Sequence, residues 1–192
     1  MIAALDEWVD RKVEPLRTPA LDHVFYPLSS AADHSLLWLT AGAIRAALHG
    51  DPRAARNFGV AMGIESFATN VVIKSLFRRV RPPRPVDSPL PYGMHVPVTS
   101  SFPSGHATAA FCAASILGHG RRSAPAWYAL AAAVAASRVY VRMHHASDVM
   151  AGAALGLAMG AVLRRALPLD PGNAAGRSAV GVGARRRRPE TR

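Results

Sequence analysis

Long apolar segments alternate with shorter polar stretches along the chain. The five segments lie at about 27–48, 57–77, 105–120, 126–142 and 147–164. They are rich in Ala, Leu, Val and Gly, and small residues let helices approach one another closely in lipid. A helix needs about 20 residues to cross a bilayer, so the shorter segments span it only if they tilt or the bilayer thins. The pattern predicts an all-α fold, a polytopic membrane helical bundle of about five transmembrane helices.

An amphipathic helix is predicted before the first of these segments, over residues 3–17. Its apolar residues recur at a spacing of three to four, with charged residues between them: Leu5, Trp8, Val9, Val13 and Leu16. We expect this helix to lie on the membrane surface. A soluble helix that covers a core is the alternative.

Two regions break the helical pattern. Residues 80–103 contain several prolines and are expected to form a loop with at most short helical turns. The sequence from Pro168 onward is rich in Gly, Ala and Arg and ends near a run of four arginines, a composition typical of disorder. We therefore expect one membrane-embedded domain over residues 1–167 and a basic, disordered tail over 168–192.

The overall charge narrows the choice of partners. The chain is 50% hydrophobic and only 18% charged, yet it carries a formal net charge of +11. Such a charge favours anionic partners, either nucleic acid or acidic lipid headgroups. Because the terminal arginines have no interleaved aromatic residues, we expect membrane lipids and no nucleic acid. Cys112 is the single cysteine, which excludes an intrachain disulfide and a thiolate metal cluster.

Three polar clusters adjoin the apolar segments. They are Lys-x6-Arg-Pro at 74–82, Pro-Ser-Gly-His at 103–106 and Ser-Arg-x5-His-x3-Asp at 137–148. If five segments span the membrane, all three clusters emerge on the same face. A phosphate group carries two or more negative charges and needs fixed donors around its oxygens during transfer. The clusters together indicate a site that transfers phosphate.

Five residues of these clusters have the chemistry to hold a phosphate. Lys74, Arg81 and Arg138 supply positive charge, and a guanidinium group can contact two phosphate oxygens at once. Ser104 and Gly105 precede an apolar run, where the free N–H groups of a helix N-terminus attract anions. An isolated arginine would more often anchor the chain at the membrane interface, and an isolated serine would more often cap a helix.

The histidines supply candidates for proton transfer and nucleophilic attack. His106 lies in the first predicted turn of a helix, where its imidazole can give a proton to a leaving group. His144 and Asp148 are four residues apart and share a helix face, so the carboxylate can orient the imidazole. His145 lies three residues before Asp148 and competes for the same role. Spacing alone leaves this choice open.

Other charged residues do not fit the pattern of these clusters. Four arginines are assigned to solvent, lipid headgroups or loop anchoring: Arg78, Arg79, Arg84 and Arg142. Asp33 and Glu65 lie within apolar segments, where charges usually face the interior of a bundle. For both we favour a structural role over direct participation.

The three clusters together resemble the type 2 phosphatidic acid phosphatase (PAP2) family, over about residues 57–164. The resemblance implies a PAP2/haloperoxidase-like fold and a nucleophile six residues after arginine and four before aspartate, which is His144. It implies that His106 protonates the leaving group and then activates water, while Asp148 orients His144. The implied phosphate-binding residues are Lys74, Arg81, Ser104, Gly105 and Arg138. No metal and no other cofactor is implied.

The resemblance implies a hydrolase that removes phosphate from a lipid phosphomonoester or diphosphate through a phosphohistidine. A polyprenyl-linked substrate is favoured, with phosphatidic acid and phosphatidylglycerophosphate as alternatives. Arginines on the face opposite the clusters predict, by the positive-inside rule, an extracytoplasmic site and a cytoplasmic tail in the inner (plasma) membrane. A vanadate-dependent haloperoxidase-like enzyme and a non-enzymatic membrane scaffold are the alternative functions. No oligomeric state is predicted.

Overall fold

The computed structural model describes residues 1–84 and 90–169, and the regular structure within these ranges is entirely helical. The α-helices are α1 (Ile2–Val13), α2 (Pro19–Ala31), α3 (Leu36–Leu48), α4 (Pro52–Phe67), α5 (Gly105–Leu117), α6 (Ala124–Tyr140) and α7 (Ala146–Ala166). A π-helical turn, Ala68–Ile73, continues α4, and short 3-10 turns occupy Glu14–Leu16, Asp33–Ser35 and Pro91–Gly93. The predicted all-α class is confirmed.

The first predicted apolar segment, 27–48, is wrong as one continuous helix. The structure divides it at Asp33–Ser35, where His34 and Ser35 take the left-handed conformation with φ of 51° and 59°. A right-handed helix cannot continue through such residues. The break turns the carboxylate of Asp33 towards His106, so the interruption serves a polar contact inside an apolar region.

Helix starts follow local sequence signals. Thr18 and Asp51 cap α2 and α4 with their side-chain oxygens, and each is followed by proline at the first helical position. Proline fits there because its missing N–H would have no partner within the helix. Ser104 caps α5 by accepting a hydrogen bond from the backbone N–H of Ala107. These caps fix where the polar clusters end and the apolar helices begin.

Helix α5 forms the centre of the bundle. Ten of its thirteen residues are buried, and it packs against both α6 and α7. Cys112 lies within this core as a free, fully buried thiol. A helix that is apolar on all sides is expected in such a position.

Glycines let α7 approach α5 closely. A Cβ atom at Gly152 would lie 2.5 Å from the carbonyl oxygen of Ser104, and one at Gly156 would lie 2.3 Å from that of Thr108. At Gly160 the Cβ would meet the side chain of Ser115 at 2.7 Å. These glycines are spaced by four and therefore share one face of α7. The two backbones come close enough for the N–H of Ser104 to donate to the carbonyl of Asp148 at 3.0 Å.

Helix α1 turns a polar side chain inward and apolar side chains outward. Asp6 is its one buried residue, whereas Ile2, Leu5 and Trp8 are 64%, 38% and 53% exposed. A helix that covers a soluble core would have the reverse arrangement. The predicted amphipathic helix is present, and its exposed face suits a membrane surface.

Helix length and apolar character indicate which helices can cross a membrane by themselves. Among the described residues, α7 alone is long and apolar enough by itself to cross a membrane, and α5 is apolar but shorter. The number of five transmembrane helices therefore stays a prediction. Pro168 and Leu169, which the sequence placed in the tail, contact the bundle: the Pro168 carbonyl accepts from Asn57, and Leu169 is buried. The remainder of the predicted tail, 170–192, lies outside the described residues.

The α5–α7 contact gives a stability prediction. We expect Gly156→Ala to lower the free energy of unfolding by about 1–3 kcal/mol, because the added methyl group meets backbone atoms that have no alternative rotamer. The matched control is Gly63→Ala in α4, where the new Cβ has nothing within 4 Å. That change should be neutral or stabilise the helix by up to about 1 kcal/mol. Thermal unfolding in detergent measures both, and equal stability of the two variants would contradict the close contact.

Candidate active site

The three predicted clusters meet at one end of the bundle. The end of α4, the N-terminus of α5 and the connection between α6 and α7 all lie there, together with the break at Asp33. The guanidinium of Arg81 lies 3.3 Å from the imidazole of His144, and Asp33 links His106 to Arg138. Distant parts of the chain therefore form one cationic site.

His144 is held in the orientation that a nucleophile needs. Its Nδ1 lies 2.7 Å from the backbone carbonyl of Ser101, which can only accept a hydrogen bond. The proton therefore belongs on Nδ1, and Nε2 keeps its lone pair. Nε2 faces Nη1 of Arg81 at 3.3 Å, the guanidinium that is predicted to hold phosphate.

The environment of His144 keeps its imidazole neutral. Burial lowers the pKa of His144 to about 3, and the positive charges of Arg138, Arg81 and Lys74 act in the same direction, while Asp148 opposes them. The side chain is only 2% exposed. A neutral imidazole with a free Nε2 is the form that can attack phosphorus.

His145 differs from its neighbour in exposure and in partners. Its Nε2 is 3.2 Å from the carbonyl of Val80 at an exposed position, and its backbone N–H donates to Asp148 at 2.9 Å. His145 is therefore part of the start of α7. His144, by contrast, is buried and its Nε2 lies 3.3 Å from Arg81.

His106 has a carboxylate partner of its own. Its Nε2 lies 2.7 Å from Oδ1 of Asp33, and the same oxygen lies 3.9 Å from Nη1 of Arg138. Asp33 comes from the break before α3, and His106 from the first turn of α5. The sequence favoured a structural role for Asp33, whereas the structure places it directly against a predicted catalytic imidazole.

One nitrogen of the Arg138 guanidinium is held by a serine hydroxyl, and another has no partner among the described residues. Arg138 is 2% exposed, and its Nη1 donates to the hydroxyl of Ser29, a fully buried residue of α2. Its Nε has no hydrogen-bond partner within the part of the chain that the structure describes. A buried donor of this kind is costly unless a ligand accepts from it. A phosphate oxygen would supply the acceptor.

Lys74 and Gly105 lie side by side. A Cβ atom at Gly105 would lie 3.3 Å from Nζ of Lys74 and 2.7 Å from Oδ1 of Asn70. Glycine therefore lets the end of α4 approach the N-terminus of α5. The π-helical turn at Ala68–Ile73 directly precedes Lys74, and such turns are frequent at functional sites.

Arg81 is held by backbone carbonyls. Its guanidinium donates to Met143 at 2.7 Å, to Pro97 at 3.2 Å and to Thr99 at 3.3 Å. Burial lowers the pKa of Arg81 from its ordinary value, but the charge of Asp148 opposes this effect. A cavity of about 430 Å³, lined by residues 77–81 and 97–100, opens beside this guanidinium.

Asp148 is shared between several donors. Its Oδ2 lies 3.7 Å from Nδ1 of His144, which is longer than a hydrogen bond. Its closest side-chain contact is with Nη1 of Arg79, at 2.5 Å. The assignment of Arg79 to solvent, headgroups or loop anchoring is therefore wrong. Asp148 therefore acts on His144 through its charge, while Nδ1 of His144 donates its hydrogen bond to the backbone carbonyl of Ser101.

The structure adds residues that sequence reasoning missed. Ser29 and Ser101 hold Arg138 and His144, and Asp6 holds Arg79. Ser101 acts through its backbone carbonyl, so its side chain carries no signal of this role. The inward orientation of Asp6 could have been considered from the sequence, because a charged residue within an amphipathic helix can face the protein as well as the solvent.

The sequence of this chain is similar to those of known phosphatases. The family model of the PAP2 superfamily matches residues 54–170. A decaprenylphosphoryl-5-phosphoribose phosphatase of Mycobacterium tuberculosis is 32% identical over 166 residues, which cover 85% of this chain and 86% of the relative. A protein of the same name from Mycolicibacterium smegmatis is 34% identical over 128 residues, or 65% of this chain and 67% of the relative.

Two solved structures share the fold. One is a transmembrane PAP2-type phosphatidylglycerolphosphate phosphatase from Bacillus subtilis, with a TM-score of 0.66 and 23% identity over 96% of this chain and 89% of the other. The second is LpxE from Aquifex aeolicus, with the same TM-score and identity over 82% of this chain and 93% of the other. The matched length, the identity and the shared fold lead to one conclusion. The chain belongs to the PAP2 superfamily and is a phosphatase of that type.

Proposed function

We propose that this protein is a membrane lipid phosphatase that hydrolyses a phosphomonoester or diphosphate through a phosphohistidine at His144. One observation carries the proposal: Nε2 of His144 bears a lone pair and faces Arg81 at 3.3 Å inside a cluster of buried cations. Such an arrangement serves the transfer of an anionic group to a nitrogen nucleophile.

The phosphate group binds among the cations before any bond changes. Lys74, Arg81 and Arg138 neutralise its charge. Nε of Arg138 has no acceptor among residues 1–84 and 90–169, so it is available to donate to a phosphate oxygen. The N-terminus of α5 at Ser104 and Gly105 adds backbone N–H donors and a favourable helix dipole. These groups stabilise the charge that spreads over the equatorial oxygens in the transition state.

Phosphoryl transfer then takes place in two steps. Nε2 of His144 forms a bond to phosphorus while the bond from phosphorus to the leaving oxygen breaks, and His106 gives its proton to that oxygen. In the second step water attacks phosphorus, His106 takes a proton from the water, and the bond to His144 breaks. Phosphate is released, and both histidines return to their starting protonation states.

Asp33 and Asp148 support different histidines in this scheme. Asp33, at 2.7 Å from His106, stabilises the protonated form that must deliver the proton. Asp148, at 3.7 Å from Nδ1 of His144, stabilises the positive charge that this imidazole gains when Nε2 binds phosphorus. Asp33 thus supports the general acid His106, and Asp148 supports the nucleophile His144.

A polyprenyl-linked phosphate is the favoured substrate. The relatives that match most of the chain are named for decaprenylphosphoryl-5-phosphoribose. The cavity beside Arg81 has room for a polar headgroup, and the exposed apolar residues Val80 and Val98 line it at 82% and 104% exposure. Polar and apolar surfaces therefore adjoin at the site, as a lipid phosphate with its headgroup in water requires.

The orientation proposed for the chain places the site outside the cytoplasm. The end of α4, the start of α5, the end of α6 and the start of α7 lie at the site, so the opposite ends of these helices point away from it. Near those opposite ends are Arg53, Arg56, Arg121, Arg122, Arg164 and Arg165. By the positive-inside rule that side faces the cytoplasm of the inner membrane, so the tail is cytoplasmic too.

The substrate class is tested by a phosphate-release screen. Purified protein in detergent is expected to release phosphate from decaprenylphosphoryl-5-phosphoribose with a higher kcat/KM than from phosphatidic acid or phosphatidylglycerophosphate. A polyprenyl diphosphate in the same screen separates monophosphate from diphosphate preference. A clear preference for a glycerophospholipid would contradict the polyprenyl assignment and leave the phosphatase assignment intact.

His144 and His145 are adjacent, so alanine variants of the two test which histidine is the nucleophile. We expect His144→Ala to lower kcat by about 1,000-fold or more, because no other group can take the phosphoryl group. His145→Ala should retain most of the activity, since it loses a contact with Val80 at an exposed position. Rapid acid-free quenching with labelled substrate should show a phosphohistidine in the wild type and in His145→Ala. Equal losses in the two variants would overturn the assignment.

Asp33 is tested by varying the leaving group. Asp33→Asn removes the charge that supports protonated His106, and we expect kcat for an alkyl phosphate to fall by about 10- to 100-fold. An aryl phosphate such as para-nitrophenyl phosphate needs little protonation of its leaving oxygen and should be affected much less. His106→Ala should show the same selectivity. If Asp33→Asn slows both substrates equally, Asp33 does not act through the acid.

A further inference from the structure

Helix α1 contributes a buried carboxylate to the region behind the nucleophile. Asp6 is 7% exposed and accepts three hydrogen bonds: from the backbone N–H of Ser147 at 2.8 Å, from its hydroxyl at 2.8 Å and from Nη2 of Arg79 at 2.6 Å. Burial would raise the pKa of Asp6, but these bonds outweigh it and lower the pKa below its ordinary value. Asp6 therefore remains charged.

Arg79 connects this carboxylate to Asp148. One end of its guanidinium contacts Asp6, and the other donates to Asp148 at 2.5 Å and to the hydroxyl of Ser147 at 2.7 Å. Ser147 lies in the first turn of α7, whose backbone N–H groups lack partners within the helix. Asp6 thus caps α7 from a different helix and orients the arginine at the same time.

The charges in this cluster decide how Asp148 acts on His144. Arg79 alone would neutralise Asp148, and the carboxylate would then do little for the positive charge that develops on the imidazole. With Asp6 present, one cation is shared between two anions, and the cluster keeps a net negative charge beside Nδ1 of His144. The arrangement also fixes the position of Asp148, which has no direct hydrogen bond to His144.

We propose that Asp6 is a positioning residue for the nucleophile, which acts through Arg79 and Asp148 and makes α1 a working part of the active site. This inference rests on the proposed function, because it assumes attack by His144. It differs from the family pattern in that Asp6 lies outside the three sequence clusters and Arg79 occupies one of the unspecified positions of the first cluster. It assigns the amphipathic helix a role beyond contact with the membrane surface.

The test compares two neighbouring acidic residues of α1. Asp6→Asn should lower kcat by about ten-fold with little change in KM, because the second layer around a reacting group typically contributes this much. Glu7 is 71% exposed and pairs only with Arg11 among the contacts of this helix, so Glu7→Gln should leave kcat unchanged. Thermal unfolding in detergent establishes that each variant is folded.

A double-mutant cycle separates positioning from general stability. In an Asp148→Asn background, the further change Asp6→Asn should alter kcat by less than about two-fold. Asp6 is proposed to act through the charge of Asp148, and this background lacks that charge. A full ten-fold loss in that background would overturn the proposal. If Asp6→Asn does not fold, Arg79→Lys takes its place in the same cycle, since a single ammonium cannot bridge both carboxylates.

Failure of this inference is distinguishable from failure of the proposed function. Wild-type turnover of a lipid phosphate together with wild-type kcat in Asp6→Asn overturns the role of Asp6 alone. Absence of turnover in the wild type across all lipid phosphates overturns both. A loss of kcat that is confined to Asp6 and Arg79 variants and vanishes in the Asp148→Asn background supports the proposal.

Discussion

The close contact between α5 and α7 is the constraint on which the site depends. Because Gly152 and Gly156 have no side chains, the two helices approach until the backbone of Ser104 bonds to the carbonyl of Asp148. This bond joins the turn at Ser104, which is proposed to bind phosphate, to the first turn of α7. Any larger residue on this face of α7 would move His144, the proposed nucleophile, away from the N-terminus of α5. Helix packing in the apolar core thereby sets distances in the polar site.

Several positive charges are buried together at the site, which raises the free energy of the folded protein. Binding of an anionic substrate offsets part of this increase. Lys74 and Arg138 are 9% and 2% exposed, and Arg81 lies beside them. Like charges at such depth repel one another, and each loses the stabilisation that water provides. The bundle tolerates Arg81 and Arg138 because backbone carbonyls accept from Arg81, Ser29 accepts from Arg138, and the carboxylate of Asp33 lies 3.9 Å from Arg138. An anionic phosphate removes much of the remaining penalty, so binding energy is available at the position where the reaction occurs.

Much of this arrangement could be predicted from the sequence, but the supporting contacts could not. The helices, the lack of α-helix over 80–84 and 90–103, and the three clusters follow from apolar periodicity, prolines and spacing, which are local properties. The break at Asp33 was missed because the surrounding residues are apolar enough to continue a helix. Its cause is a contact with His106, which lies 73 residues away. Arg79 was misassigned for a similar reason, since nothing in a run of arginines indicates which one turns inward to meet Asp148.

The two histidines illustrate how tertiary contacts assign chemistry to similar residues. Both have a carboxylate nearby, yet the distances differ: 2.7 Å between His106 and Asp33, and 3.7 Å between His144 and Asp148. A direct hydrogen bond to a carboxylate stabilises the protonated imidazole of His106 when it forms, as the proposed proton transfer to the leaving group requires. Burial and the charges of Arg138, Arg81 and Lys74 keep the imidazole of His144 neutral, and Asp148 opposes this effect from 3.7 Å. Arg79 donates to Asp148 at 2.5 Å and thereby fixes the position of this carboxylate near Nδ1 of His144. In the proposed mechanism Asp148 can then stabilise the positive charge that the imidazole gains when Nε2 binds phosphorus.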